Sequence, residues 1–177
     1  MFVGGIDTTS TALEWLMAEL IRSPNTMKRA QEEIRSIVGT KSQIDVDDIN
    51  QMDYLKCIIK ETMRLHPPLP LLVPRETSAC VKLRPEEFLP ERFKDSQLDF
   101  KGQDCEFIPF GGERRGCPGL TFGVASAEYV IANPLCWFDW RLPSANAQEA
   151  DLDMNEVNAL TVFKKTPLEL VAIPYSP

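Results

Sequence analysis

Apolar residues return once per helical turn in four separate stretches, and a proline or glycine stands where most of them stop. Leu13, Leu16, Met17, Leu20 and Ile21 form the first stripe, and the chain is expected to begin inside that helix. Ser23-Pro24 closes that helix, and Pro24 suits the first turn of the next. Met27, Ala30, Ile34, Ile37 and Val38 carry the second stripe, which Gly39 stops. The acids in Asp45-Val46-Asp47-Asp48 predict a capped turn. A third helix fits Met52, Leu55, Ile59, Thr62 and Met63, and it must end before Pro67-Pro68, because a residue preceding proline avoids the helical region. Leu120, Val124, Ala127, Ile131, Leu135 and Phe138 share one face of the last. Pro134 interrupts that face and is expected to kink it, which puts the final turn in question.

Between the third and last helices the chain is irregular and rich in proline from Pro67 to Pro90, with room for a short strand at Leu71-Leu72-Val73. Near the end, Leu160 to Phe163 and Leu168 to Ile173 flank Lys164-Lys165-Thr166-Pro167, which predicts a β-hairpin. The fold class is therefore mainly α with minor β, in one domain.

Several functions are excluded by composition. The net charge is −7 with no basic stripe, so the chain is not a nucleic-acid binder. The five cysteines are odd in number and scattered, and none makes a Cys-x-x-Cys; this argues against a disulfide scaffold. His66 is the single histidine, which rules out a multi-histidine metal site. No run of about 18 apolar residues is present to span a membrane. The first residues lack a basic segment and do not read as a signal peptide.

Three short segments carry chemistry. The strongest is Phe110-Gly111-Gly112-Glu113-Arg114-Arg115-Gly116-Cys117-Pro118-Gly119, a glycine–arginine loop that presents one thiol just before a helix. A helix N-terminus favours thiolate over thiol. Glycines admit a flat ligand close to the backbone, and arginines offer forked donors to carboxylates. Taken alone, Cys117 also reads as an inert packing residue. The second segment is Glu61-Thr62-Met63-Arg64, where Glu61 and Arg64 share a helix face. Alone it reads equally as a surface ion pair. The third is Gly4-Gly5-Ile6-Asp7-Thr8-Thr9. Its glycines lower helix propensity and Thr8 can bond back to a carbonyl, so a helix can bulge there. The same residues also suit a plain capped N-terminus. His66 reads as a hydrogen-bonded structural residue, and Trp137 and Trp140 as packing.

Together these segments resemble the cytochrome P-450 family. The cysteine loop is similar to its haem-binding signature, Phe-x-x-Gly-x-Arg-x-Cys-x-Gly: Phe110, Arg115, Cys117 and Gly119 match, and Glu113 stands where the signature has its first glycine. Glu61, Arg64 and the downstream Phe88-Leu89-Pro90-Glu91-Arg92-Phe93 resemble the family's Glu-x-x-Arg and Pro-Glu-Arg-Phe segments. Gly4 to Thr9 resembles the oxygen-activating turn of its central helix. Arg64-Leu65-His66-Pro67-Pro68 and Pro74-Arg75-Glu76-Thr77 look like the plant microsomal branch.

The resemblance implies the C-terminal portion of that fold, incomplete: central helix, Glu-x-x-Arg helix, cysteine loop with its helix, and terminal hairpin. It implies haem held through Cys117 as iron ligand, with Phe110, Arg115, Gly119 and Gly5 around it. Asp7 and Thr8 would serve proton delivery, and Glu61, Arg64 and Arg92 would form a buried structural triad. Leu69 to Val73 and the terminal hairpin would line a substrate pocket. The implied activity is haem-thiolate oxygenation of a small hydrophobic substrate, with electrons from NADPH through a flavin reductase. The implied location is the cytosolic face of the endoplasmic reticulum, reached through an N-terminal anchor that this chain lacks.

Residues 1–177 form a single partial domain on this reading. Leu83 runs directly into Arg84, where the family has further strand and helix, so an internal deletion is expected there. The alternative is a non-catalytic helical remnant or interaction fragment without haem. A cysteine-nucleophile hydrolase is disfavoured, since His66 is the sole candidate base and sits beside two prolines.

Overall fold

The computed structural model describes residues 2–69, 87–102, 107–112, 114, 116–143, 152–159 and 161–176. Five α-helices account for most of them: α1 (Phe2–Arg22), α2 (Pro24–Val38), α3 (Val46–Gln51), α4 (Asp53–Leu65) and α5 (Leu120–Trp137). A 3-10 turn covers Pro90–Phe93. Four short strands follow α5: β1 (Phe138–Arg141), β2 (Glu156–Asn158), β3 (Val162–Lys164) and β4 (Val171–Pro174).

The stripes pack as their spacing predicts. Leu16, Leu20 and Ile21 of α1 meet Ala30, Ile34 and Val38 of α2, Leu55, Ile58 and Ile59 of α4, and Ile131 and Leu135 of α5 in one buried cluster. Each fully buried Leu or Ile contributes about 1.5–3 kcal/mol, so this cluster dominates the fold's stability. Pro24 opens α2 directly after α1, and Gly39 ends α2 with φ of 57°, a left-handed value that costs glycine little. Where a turn is expected, Asp45 and Asp48 build a short helix instead. Asp45 accepts from the Asp48 amide at 2.9 Å, and Asp48 accepts from the Asp45 amide at 3.1 Å. This reciprocal capping box supplies partners to α3's free N–H groups. Glu33 of α2 caps α4 from outside, accepting from the Tyr54 and Leu55 amides at 2.8 and 3.0 Å.

Two local expectations are corrected. α5 runs past Pro134 to Trp137 and keeps its last turn. An interior proline costs about 3 kcal/mol. Full burial of Leu135 offsets most of that. Arg35 of α2 adds to it by donating to the Cys136 carbonyl at 3.1 Å and the Phe138 carbonyl at 3.1 Å, a cation at a helix C-terminus. The hairpin also forms from other residues. β3 pairs antiparallel with β2, with Val157 opposite Phe163. β4 pairs antiparallel with β1, with Trp140 opposite Ala172. Pro167 has no N–H for a ladder, and the next amide, that of Leu168, is taken by Glu14 at 2.9 Å, which draws the segment to α1 instead of folding it back on β3. The expected strand at Leu71 to Val73 and the Leu83–Arg84 junction lie outside the described residues.

Candidate functional site

The apolar cluster closes one end of the helices; the other end is open. There α1, α4 and α5 diverge around a cavity of about 330 Å³. Gly4, Thr8, Thr9 and Ala12 line it from the first turns of α1, and Met63 from α4. Pro68 and Leu69 add a wall after α4. Pro109 to Gly112 and Cys117 close it from the cysteine loop, and Gly123 and Ala127 from α5. The lining is mostly apolar, with the Thr8 and Thr9 hydroxyls and the Cys117 thiol as its polar side chains.

The loop is shaped by its backbone. The Cys117 amide donates to the Phe110 carbonyl at 2.8 Å, and the Leu120 amide donates to the Cys117 carbonyl at 3.3 Å. Cys117 therefore sits in the turn that enters α5. Gly102 and Gly112 touch: a Cβ built on Gly102 would lie 2.3 Å from the Gly111 oxygen, and one on Gly112 would lie 2.8 Å from the Gly102 oxygen. Phe110 packs edge-on against Phe100 at 5.7 Å, Phe100 meets Phe107 at 5.5 Å, and Phe107 meets Phe93 at 5.1 Å. This aromatic chain ties the cysteine loop to the 3-10 turn that carries Arg92.

Cys117 differs from the other described cysteines. Cys57 and Cys136 are buried, and burial pushes both thiols above their ordinary value. Cys117 is exposed at the cavity. Cys80, Cys105, Glu113 and Arg115 lie outside the described residues.

On α1, the Thr8 hydroxyl donates to the Gly4 carbonyl at 2.6 Å, and the helix stays α-helical through both glycines. Thr8 and Gly4 face the cavity together, as residues four apart on a helix must. Gly5 and Asp7 sit on the exposed side of these turns and are not among the lining residues. A Cβ at Gly4 or Gly5 would meet nothing within 4 Å.

Behind the cavity, Glu61 is fully buried. It accepts from Arg64 through both oxygens, at 2.7 and 2.9 Å, and from the Leu89 amide at 2.9 Å. Arg92 Nε stands 3.6 Å away with its side chain 44% exposed, so the group is buried at its carboxylate and open at Arg92. A bidentate arginine and a backbone donor supply the partners that a buried carboxylate requires.

Met63, Ala12, Thr9, Pro68 and Ala127 line the cavity without having been singled out by sequence. A faint signal was available: Ala12 follows Thr8, and Ala127 follows Gly123, by one helical turn, which puts small residues on one face.

An apolar slot lined by one exposed thiol and a threonine-bearing helix, with a buried carboxylate–arginine group on α4, brings together the three segments on which the family resemblance rests. The family comparison agrees. The cytochrome P-450 model matches residues 1–84 and 83–170. Phenylacetaldehyde oxime monooxygenase of Prunus mume is 52% identical over 100% of this chain and 39% of its own length. Cytochrome P-450 71A1 of Persea americana is 49% identical over 97% of this chain and 39% of its own. Desmethylyatein synthase of Sinopodophyllum hexandrum is 46% identical over 99% and 41%. The chain belongs to the cytochrome P-450 family, in its plant branch, and spans about two fifths of the length of these relatives. No described helix is long and apolar enough to cross a membrane.

Proposed function

We propose that this chain is the haem-binding portion of a monooxygenase and that Cys117 is the iron ligand. One observation carries the reading: Cys117 and Thr8, far apart in sequence, line the same apolar cavity. The donor set suits the group. Cys117 is the one exposed thiol among the described cysteines, and a single thiol suits an iron that already has ligands in a macrocycle. A lone thiolate completes such a site. Gly4 and Gly123 leave room for a flat ring between α1 and α5. Bound there, haem would supply dioxygen activation.

The protein's own contributions follow from position. Cys117 would hold a bound iron and supply it with electron density. The Thr8 hydroxyl, now donating to Gly4, can turn to hold a proton at the cavity, and exposed Asp7, the residue before it, can relay one from solvent. By the family resemblance, Arg115 and Phe110 would help to hold the ring. Glu61, Arg64 and Arg92 hold α4 to the Pro90–Phe93 turn, and so hold the cysteine loop through the aromatic chain.

The substrate would be a small hydrophobic molecule. One relative's name speaks of an aromatic oxime, in keeping with an apolar wall of Met63, Pro68 and Leu69. Electrons would come from NADPH through a flavin reductase, at the endoplasmic reticulum in a full-length counterpart. An internal gap at Leu83–Arg84 is supported by the family match, which falls into two pieces meeting there. In haem-reconstituted chain, the reduced carbon monoxide complex should show a thiolate-type spectrum. Cys117→Ser should abolish that spectrum, while Cys57→Ser and Cys136→Ser should retain it; a retained spectrum in Cys117→Ser would exclude the assignment.

A second reading, a haem-free remnant, is favoured by the exposed apolar residues at the open end, including Phe122 at 81% and Ile6 at 62%. Exposure of this kind leads to association. Absence of haem uptake by monomeric chain would select this reading.

A further inference from the structure

His66, the chain's single histidine, has no part in the haem reading, yet it is held from three sides. Its ring lies flat on Trp15, with centroids 4.1 Å apart and planes 2° apart. Nε2 is 2.7 Å from Glu19 Oε1. Nδ1 is buried without a hydrogen bond, and Glu156 Oε1 stands 3.5 Å from it. Trp15 is 0% and Glu19 5% exposed, so the anchor lies inside the helical core of α1. Trp15 also reaches the same stretch by a second route. Its indole N–H donates to the Val162 carbonyl at 3.0 Å, and the Val162 amide donates to the Pro68 carbonyl at 3.0 Å.

The segment gripped this way leads straight into the cavity. His66 is followed by Pro67, Pro68 and Leu69, and the last two form its wall. Each proline fixes its own φ and restricts the residue before it. Few soft dihedrals therefore separate the gripped imidazole from Leu69. A shift of the ring passes to the wall instead of being absorbed on the way.

We propose that His66, anchored by Glu19 and Trp15, is a positioning residue that sets how far Pro68 and Leu69 project into the cavity, and thereby the size of apolar ligand the site accepts. The inference rests on the reading of this cavity as a ligand site but not on haem, so its test is made without the cofactor. The 177-residue chain is titrated with the uncharged, apolar fluorescent probe N-phenyl-1-naphthylamine in four forms: unaltered, Glu19→Gln, Leu69→Ala and the double variant. Glu19→Gln keeps the shape of the side chain but removes its charge. It should change the probe's dissociation constant by about threefold or more, a size typical of coupled neighbours. In the Leu69→Ala background that change should vanish. Equal changes in both backgrounds would reduce Glu19 and His66 to general structural roles, and no change in either would remove the link to the wall. Should Glu19→Gln fail to fold, Trp15→Phe serves in its place. It retains a ring for stacking, loses the N–H to Val162, and must show the same dependence on Leu69. The Cys117→Ser spectrum answers the haem question separately, so each idea can fail alone.

Discussion

The two ends of α1 inhabit different environments, and α5 repeats the contrast. From Trp15 to Ile21, α1 is almost wholly buried among α2, α4 and α5; from Gly4 to Asp7 it is exposed. On α5, Ile131 to Cys136 holds four of the helix's five buried residues and Phe122 is 81% exposed. The closed ends meet in the apolar cluster, and the open ends diverge around the cavity that holds Thr8 and Cys117. One end carries the folding energy and the other carries the candidate site. The two are joined by α4, which contributes Leu55 and Ile58 to the cluster and Met63 to the cavity.

The join should be the most sensitive place. Glu61→Ala takes away the bidentate acceptor of Arg64 and leaves the Leu89 amide without its acceptor beside a new hole, and should cost about 3–5 kcal/mol. Urea unfolding of the purified variant checks this; a loss below about 1 kcal/mol would show that the buried group contributes no more than an exposed ion pair does. At the closed end, Leu20→Ala should cost about 2–5 kcal/mol by the same measurement, since Leu20 is 0% exposed. At the open end, Phe122→Ala should change stability by no more than about 0.5 kcal/mol, because little area is lost from an exposed ring. Equal losses at Leu20 and Phe122 would break the comparison. The smallest effect concerns acid. Hydrogen bonds from the Thr166 hydroxyl and the Asn155 amide hold the Asp153 carboxyl below its ordinary value of 3.8. A depressed folded value adds stability that is fully present above 3.8 and is lost as pH falls below it. The urea midpoint should therefore decline in that acid window, and Asp153→Asn should make the decline shallower.

Much of the closed end was legible in the sequence, because helical stripes and their stops are local signals. Ser23-Pro24 and Gly39 mark boundaries that the structure keeps. The strand pairing was not legible. Leu168 is taken by Glu14 and Phe138 finds Pro174, choices made across the whole chain that no turn residue announces. The open end was legible only where a residue carries distinctive chemistry. Cys117 and Thr8 stand out in sequence, whereas Ala12 and Met63 look like any residues of a helical stripe. Carboxylates were the least readable. Glu19, Glu33 and Glu61 each serve a distant partner inside the fold, yet in sequence they match the acids that merely face water.

The contact between Gly102 and Gly112 has a consequence for what variation the protein can tolerate. Both positions are closed to every other amino acid, since even the smallest side chain would collide with backbone oxygen at 2.3 or 2.8 Å. Gly4 and Gly5 are sterically open, with nothing within 4 Å of an added Cβ. A mutational library drawn around the cavity should therefore divide sharply by wall. The helical side can accept a new side chain at residue 4 and so reshape the space, while Gly112 on the loop side admits none.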